Sequence, residues 1–132
     1  MRYLSVVLII FLGLNACKAP REILMELPLG KYDVVSIYGD QIDEKARVDM
    51  NFNGQLKRVT GSTGCNKYSV PMILEEGNLI LGNAMVTEMY CMFMPIESKF
   101  LTALTEVEFY QYKADEILLL DKNKNVILKG KK

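Results

Sequence analysis

Between Ala46 and Phe52, apolar and polar side chains take strict turns: Ala46, Val48, Met50 and Phe52 alternate with Arg47, Asp49 and Asn51. A period of two puts each set on its own face, the pattern of a half-buried strand and not of a helix. Asn53 and Gly54 follow at once. That dipeptide is suited to a two-residue type I′ hairpin, so Leu56–Thr60 is expected to return antiparallel. The arrangement recurs at Tyr68–Leu74 and Leu79–Leu81, with Glu75, Glu76, Gly77 and Asn78 as a longer loop. Pro71 marks the first of these as an edge or irregular segment, because it lacks the N–H a central strand needs.

Upstream, Tyr32–Tyr38 carries Val34, Val35 and Ile37 and stops at Gly39, which suits a strand opening the domain. Downstream, Val107–Tyr112, Glu116–Leu120 and Val126–Lys129 read as short strands separated by polar turns. One segment breaks the pattern. Pro95 sits where a first helical residue tolerates it, and Ile96, Phe100, Ala103 and Leu104 then share one face of a helix ending near Thr105. The expected fold is therefore mainly β with one helix: a small antiparallel β-barrel-like sheet, closed or nearly so, with the helix covering an open end.

The chain starts differently. Met1, Arg2 and Tyr3 place one positive charge ahead of the apolar run Leu4–Leu14. That run is shorter than the roughly 20 residues a helix needs to cross a bilayer, and it reads as the apolar stretch of a secretory signal. It ends Leu14, Asn15, Ala16, Cys17, and a small residue just before a cysteine resembles the lipobox of bacterial lipoproteins. The expectation is a lipoprotein signal peptide over residues 1–16, a diacylated Cys17 as mature N-terminus, a tether over 17–28 and the folded domain over 29–132. Two or three acyl chains anchor stably where one does not. The protein is thus expected to be held to a membrane without spanning it. Lys18 follows the cysteine with no aspartate, which in Gram-negative lipoproteins favours the outer membrane facing the periplasm.

Composition removes several chemistries. With 16 Lys+Arg against 16 Asp+Glu there is no net charge to draw in nucleic acid. Without His there is no Ser/His/Asp or Cys/His catalytic system and no His-ligated zinc. Carboxylates, Lys, Tyr and thiols remain. Glu75 and Glu76 share a turn and Glu106 and Glu108 one strand face with no evident acid/base partner, while Tyr110 and Tyr112 share a face opposite Phe109, as a stacking platform or, more commonly, as packing at a sheet rim. Lys129, Lys131 and Lys132 read as a soluble tail.

Gly61, Ser62, Thr63, Gly64, Cys65, Asn66, Lys67, Tyr68 resembles the Gly, two residues, Gly, Cys, Asn, one residue, Tyr signature of the META domain family, also described as the HslJ-like heat-shock lipoprotein family or DUF306. Thr87, Glu88, Met89, Tyr90, Cys91 is similar to the family's second block, and a helix carrying Phe100, Leu101 and Leu104 follows in the expected order. Tyr32 stands where the family usually has Trp. The resemblance covers about residues 30–129. It implies a β-barrel-like domain with a helix, a secreted or envelope location and no established enzymatic activity. It also implies that Met89 is an ordinary core position.

With Cys17 taken by lipid, Cys65 and Cys91 form an even pair in an exported chain, which reads as a disulfide in an oxidising compartment. Closing that loop would stabilise the fold by about 3.5 kcal/mol in the chain-entropy treatment. Gly61 and Gly64 would let the backbone turn sharply before Cys65, and Asn66 tolerates left-handed conformations. The sharper alternative is a soft-donor set for Cu(I), drawn from Met85, Met89, Cys91, Met92 and Met94. The two exclude each other at Cys91, since a disulfide sulfur is not a thiolate ligand.

No cofactor or metal is expected. The leading functional expectation is a non-enzymatic envelope lipoprotein acting in envelope integrity or stress tolerance through contact with another envelope component. The alternatives are a binding module for a small apolar ligand or lipid chain, and an enzyme built on carboxylates alone, with Glu88 and Glu97 as its candidates.

Overall fold

The alternation around Met50 decides which side chains are inside. Ala46, Val48, Met50 and Phe52 are each at most 2% exposed. The backbone reaches that result by a less regular route than a strand from Ala46. A computed structural model describes residues 28–75 and 77–132. The expected signal peptide, Cys17, the expected tether as far as residue 27 and Glu76 lie outside the described residues. Ala46 closes a one-turn 3-10 helix, Glu44–Ala46, whose start is capped by the Asp43 carboxylate accepting from Lys45 N at 2.9 Å. Arg47 then takes a left-handed conformation (φ 53°), and Val48 makes a single bridge to Thr63. The strand itself is Asp49–Asn53.

In chain order the elements are β1 Gly30–Ile37, β2 Asp40–Gln41, β3 Asp49–Asn53, β4 Arg58–Ser62, β5 Lys67–Glu75, β6 Asn78–Leu81, β7 Met85–Val86, α1 Met94–Glu106, β8 Phe109–Lys113, β9 Glu116–Leu120 and β10 Val126–Lys131. Eight of the strands close into an antiparallel barrel in the order β1, β3, β4, β5, β6, β8, β9, β10 and back to β1. The closing pair is well formed, with Asp33↔Lys131, Val34↔Gly130, Ser36↔Lys129 and Ile37↔Leu128 in register around a bulge at Val35. The junction of β6 with β8 is thin: one register pair, Asn78↔Phe109, flanked by the amide of Leu79 donating to Glu108 O and that of Tyr110 to Gly77 O, both at 3.0 Å. β2 folds back on β1, and β7 lies on β5 through Tyr68↔Val86 and Ser69↔Met85.

The two β-hairpins exchange the loop lengths expected of them. Asn53 pairs with Arg58, so four residues separate β3 from β4. Asn53 acts there through its side chain, which accepts from Leu56 N at 2.9 Å, and the positive φ falls on Lys57, not on Gly54. Between β5 and β6 the last pair is Glu75↔Asn78, which leaves only two positions for the turn, with Gly77 at φ 87°. Pro71 is not on an edge either. β5 is paired on both sides, but Arg58↔Pro71 is the last rung of the β4 ladder, so the missing N–H interrupts nothing further along.

The barrel interior is filled by its own side chains, including Tyr32, Ile37, Met50, Leu79, Ile117, Leu119 and Leu128. α1 covers one end, as expected. Its buried face is Phe100, Ala103 and Leu104, with Glu97 beside them. Phe100 meets Tyr68 edge-on at 5.3 Å between ring centroids. Burial of one such aromatic contributes about 2–3 kcal/mol. The ion pair from Lys99 to Asp40, 2.7 Å long but exposed, adds little.

Candidate functional site

The family-like residues converge where the β4–β5 connection meets the start of α1. Each has an identifiable structural task. Gly61 lies in β4, where a Cβ would run into the carbonyl oxygen of Asp49 and come 2.5 Å from its Oδ1. Its role is close approach of two strands, not the turn expected from sequence. Gly64 does take a conformation that favours glycine, at φ 100°, with Ala46 O only 3.2 Å from where a Cβ would be. Tyr68 is buried, and its hydroxyl donates to Asp49 O at 3.0 Å. Burial, reinforced by the Asp49 carboxylate, holds its pKa well above the usual phenol value.

Asn66 is the hub. Its φ is not positive, so left-handed tolerance is not why it is there. Its side-chain oxygen accepts from Met89 N at 2.7 Å and Thr87 Oγ1 at 2.9 Å. Its amide nitrogen donates to Met89 O and to the Glu97 carboxylate, both at 3.0 Å. That uses the full donor and acceptor capacity of one amide. Thr63 completes the knot: its hydroxyl donates to Glu97 and accepts from Asn66 N. Thr87 ties the same strip to β5 by exchanging bonds with the backbone of Lys67. The Cys65–Cys91 disulfide, with 5.6 Å between Cα atoms, is the covalent member of the set.

This arrangement corrects the expectation for Met89. Its backbone is bonded on both sides by Asn66, but its side chain is 64% exposed and is not part of the core. Tyr90 and Met92 are 93% and 83% exposed, and Met85 is exposed with them. The strip 85–92 is thus tied down at Met85–Val86, Thr87, Met89 and Cys91 and presents apolar side chains to solvent. The Cu(I) set counted Cys91, which has no thiolate to offer while bonded to Cys65. Among the described residues, no group of three or more Cys, Asp or Glu side chains is arranged to hold a metal ion.

The carboxylate candidates are not brought into partnership. Glu88 is exposed, whereas Glu97 is 6% exposed and spent on Thr63 and Asn66. Nothing in the sequence distinguished Glu97 as a buried member of the knot, apart from its place one turn before Phe100 on the helix. Glu106 accepts from the Tyr38 hydroxyl at 2.8 Å across the α1 end. The basic end is not a tail. Lys129 and Lys131 belong to β10 and pair with Glu116 at 3.1 and 3.4 Å. On the same side of the barrel an open cleft of about 980 Å³ is lined by Lys31, Asp33 and Asp49, among others, whose charges answer one another.

The far end of the barrel holds a second, smaller feature that the sequence did not announce. Tyr32 is fully buried, edge-on to Phe52 and Tyr112, and its hydroxyl has no hydrogen-bond partner among the described residues. Burial pushes its pKa up to about 12. Lys132 donates to the Tyr112 hydroxyl at 3.0 Å and lies 5.4 Å from the centroid of the Tyr32 ring. Tyr112 is therefore packed at a sheet rim and does not form an open stacking platform.

Comparison with known proteins bears on this geometry. No curated protein is significantly similar to the chain. Among solved structures, it is similar to an NMR structure of a protein from Burkholderia xenovorans, with 21% identity over 78% of this chain and 81% of that one, at a TM-score of 0.60. It is also similar to the crystal structure of a duf4847 family protein from Bacteroides vulgatus ATCC 8482, with 15% identity over 77% of this chain and 91% of that one, again at 0.60. At these identities the likeness establishes the fold. The family model of the META domain matches residues 25–132, which takes in the barrel, the helix and both motif blocks, and the chain belongs to the META domain family.

Proposed function

We propose that this protein is a lipid-anchored, non-enzymatic component of the cell envelope whose META domain works by contact with another envelope protein. The observation that carries the reading is the strip 85–92. A fully used asparagine and a disulfide hold its backbone while Met85, Met89, Tyr90 and Met92 stand exposed. Methionine surfaces adapt to a partner's shape, and tyrosine is among the residues that most often dominate binding energy. The motif residues are used up in building this strip, which supports contact over catalysis. The lipid anchor rests on Ala16–Cys17 after the apolar run Leu4–Leu14, and a membrane-held protein meets partners in the same membrane at raised effective concentration.

Two measurements test it. Cys17→Ser should move the protein from the membrane fraction to the soluble fraction of cells, and continued membrane association would defeat the anchor. A photo-crosslinking residue in place of Met92 should capture one recurrent envelope protein in intact cells. The same residue at Lys122, on the β9–β10 turn, should not. Equal capture from both positions, or none from either, would defeat the contact strip.

A further inference from the structure

A second exposed apolar surface lies at the end of the barrel away from α1. Ile73 of β5 and Ile80 of β6 are directly opposed, and each is about half exposed on the outer face. The β3–β4 loop reaches this place because Lys57 O accepts from Met72 N at 2.9 Å, and Leu56 on that loop is the most exposed leucine among the described residues. The chain joins the barrel at the same end. Gly30 pairs with Phe52, and the Leu29 side chain lies over Gly54, where a Cβ would come within 3.2 Å of it. The opposite ends of these strands belong to the helix: Asp40, just past β1, pairs with Lys99, and Tyr68, at the start of β5, packs on Phe100.

We propose that this surface, Leu29, Leu56, Ile73 and Ile80, rests on the lipid bilayer, so that the barrel sits with its tether end against the membrane and the strip 85–92 turned away from it. The inference rests on the lipid anchor of the proposed function. The occupant follows from the chain outside the described residues. From Cys17 only the residues 18–27 lead to Pro28, a reach of at most about 40 Å fully extended and about 18 Å as a coil. The end of the barrel that receives the tether is thus confined to within a molecular diameter of the headgroups. Apolar side chains held there partition into the boundary between headgroups and acyl chains, and Lys57 next to Leu56 can lay its stem along them with its charge in the headgroup layer.

The chain has no Trp, so a single introduced indole reports its own surroundings. The acylated full chain carrying Leu56→Trp, Ile80→Trp or Met92→Trp is reconstituted on vesicles of phosphatidylethanolamine and phosphatidylglycerol, with and without bromine on the acyl chains. Flotation with the vesicles is read first, because its failure defeats the anchor itself. In protein that floats, bromine should quench the indoles at 56 and 80 about twofold, as expected for side chains at the acyl boundary, and leave the one at 92 unchanged. No quenching at either 56 or 80, or quenching at 92, overturns the proposal. A third outcome is that position 56 is shielded from aqueous acrylamide but not reached by bromine, with the shield lost on deleting residues 23–27. In that case the tether segment itself covers the surface, and the bilayer proposal falls.

Discussion

The two ends of this barrel solve the same problem with opposite chemistry. At the helix end a strip with little regular structure of its own has to be fixed, and polar groups do it: Asn66 makes four kinds of bond, Thr63 and Glu97 satisfy the remainder, and Cys65–Cys91 locks the result. At the other end, where the chain enters the barrel, the strands are already paired, and aromatic side chains close the interior: Tyr32 stands edge-on to Phe52 and Tyr112 with its hydroxyl unpartnered among the described residues. A polar knot is worth its desolvation only where every member is satisfied. The helix end meets that condition. The opposite end tolerates one buried hydroxyl that does not.

The difference can be broken most easily at Asn66. Asn66→Ala leaves the amide and carbonyl of Met89, the Thr87 hydroxyl and the Glu97 carboxylate short of partners. At about 1–3 kcal/mol for a group left unpaired, the buried Glu97 contact and the three part-buried ones together should cost the domain about 4 kcal/mol in urea denaturation. A loss below about 1 kcal/mol would mean that water replaces the amide without penalty. The double variant Cys65→Ser, Cys91→Ser comes next, with a loss of about 3.5 kcal/mol. The Asn66 bonds should still hold the strip, so Met89 amide exchange should remain slow relative to that of Tyr90. Equal exchange at both would show that the disulfide alone positions the segment.

Buried phenols at both ends should respond to pH. Burial raises Tyr32 to about 12 and holds Tyr68 well above the ordinary phenol value, so the folded state favours the neutral phenols. That contribution is complete below the unfolded value near 10 and is lost as pH rises through the folded value. Stability should therefore fall between about pH 10 and 12, in step with phenolate absorbance. Tyr32→Phe should flatten part of that fall. The same substitution has the smallest expected effect at neutral pH: removing an unpartnered buried hydroxyl should stabilise by up to about 1 kcal/mol, read as a raised urea midpoint. A loss of more than 1 kcal/mol would mean that the hydroxyl is satisfied after all, and the contrast between the ends would narrow.

What was legible in the sequence follows the same division. Apolar periodicity located the strands and the helix, because burial of Val48, Met50, Phe52, Phe100 and Leu104 is decided by side-chain type. Turn chemistry read less well. Asn53–Gly54 looked like a tight hairpin, but Asn53 spends its side chain on Leu56 N and lengthens the loop, an option the dipeptide does not reveal. The site was visible as a motif and misread as a mechanism. Gly61 looked like turn glycine because nothing in the chain indicates that Asp49 lies against it. Met89 looked like core because the family resemblance makes it an ordinary core position and its side chain is apolar, whereas here the position is held by its main chain. Glu97 was invisible as a structural residue, since the partners that justify its burial, Thr63 and Asn66, are more than 30 residues away.

The thin junction between β6 and β8 has a consequence for how the molecule breathes. Seven of the eight seams are laced by several rungs, and the eighth by one register pair and its flanking bonds. A cylinder with one weak stave opens always at the same place. Transient unrolling will run along that line, uncovering Leu79 and Tyr110 before any residue of the β1–β10 closure, so proteases and mispaired strands of neighbouring copies have a single door through which to find this fold.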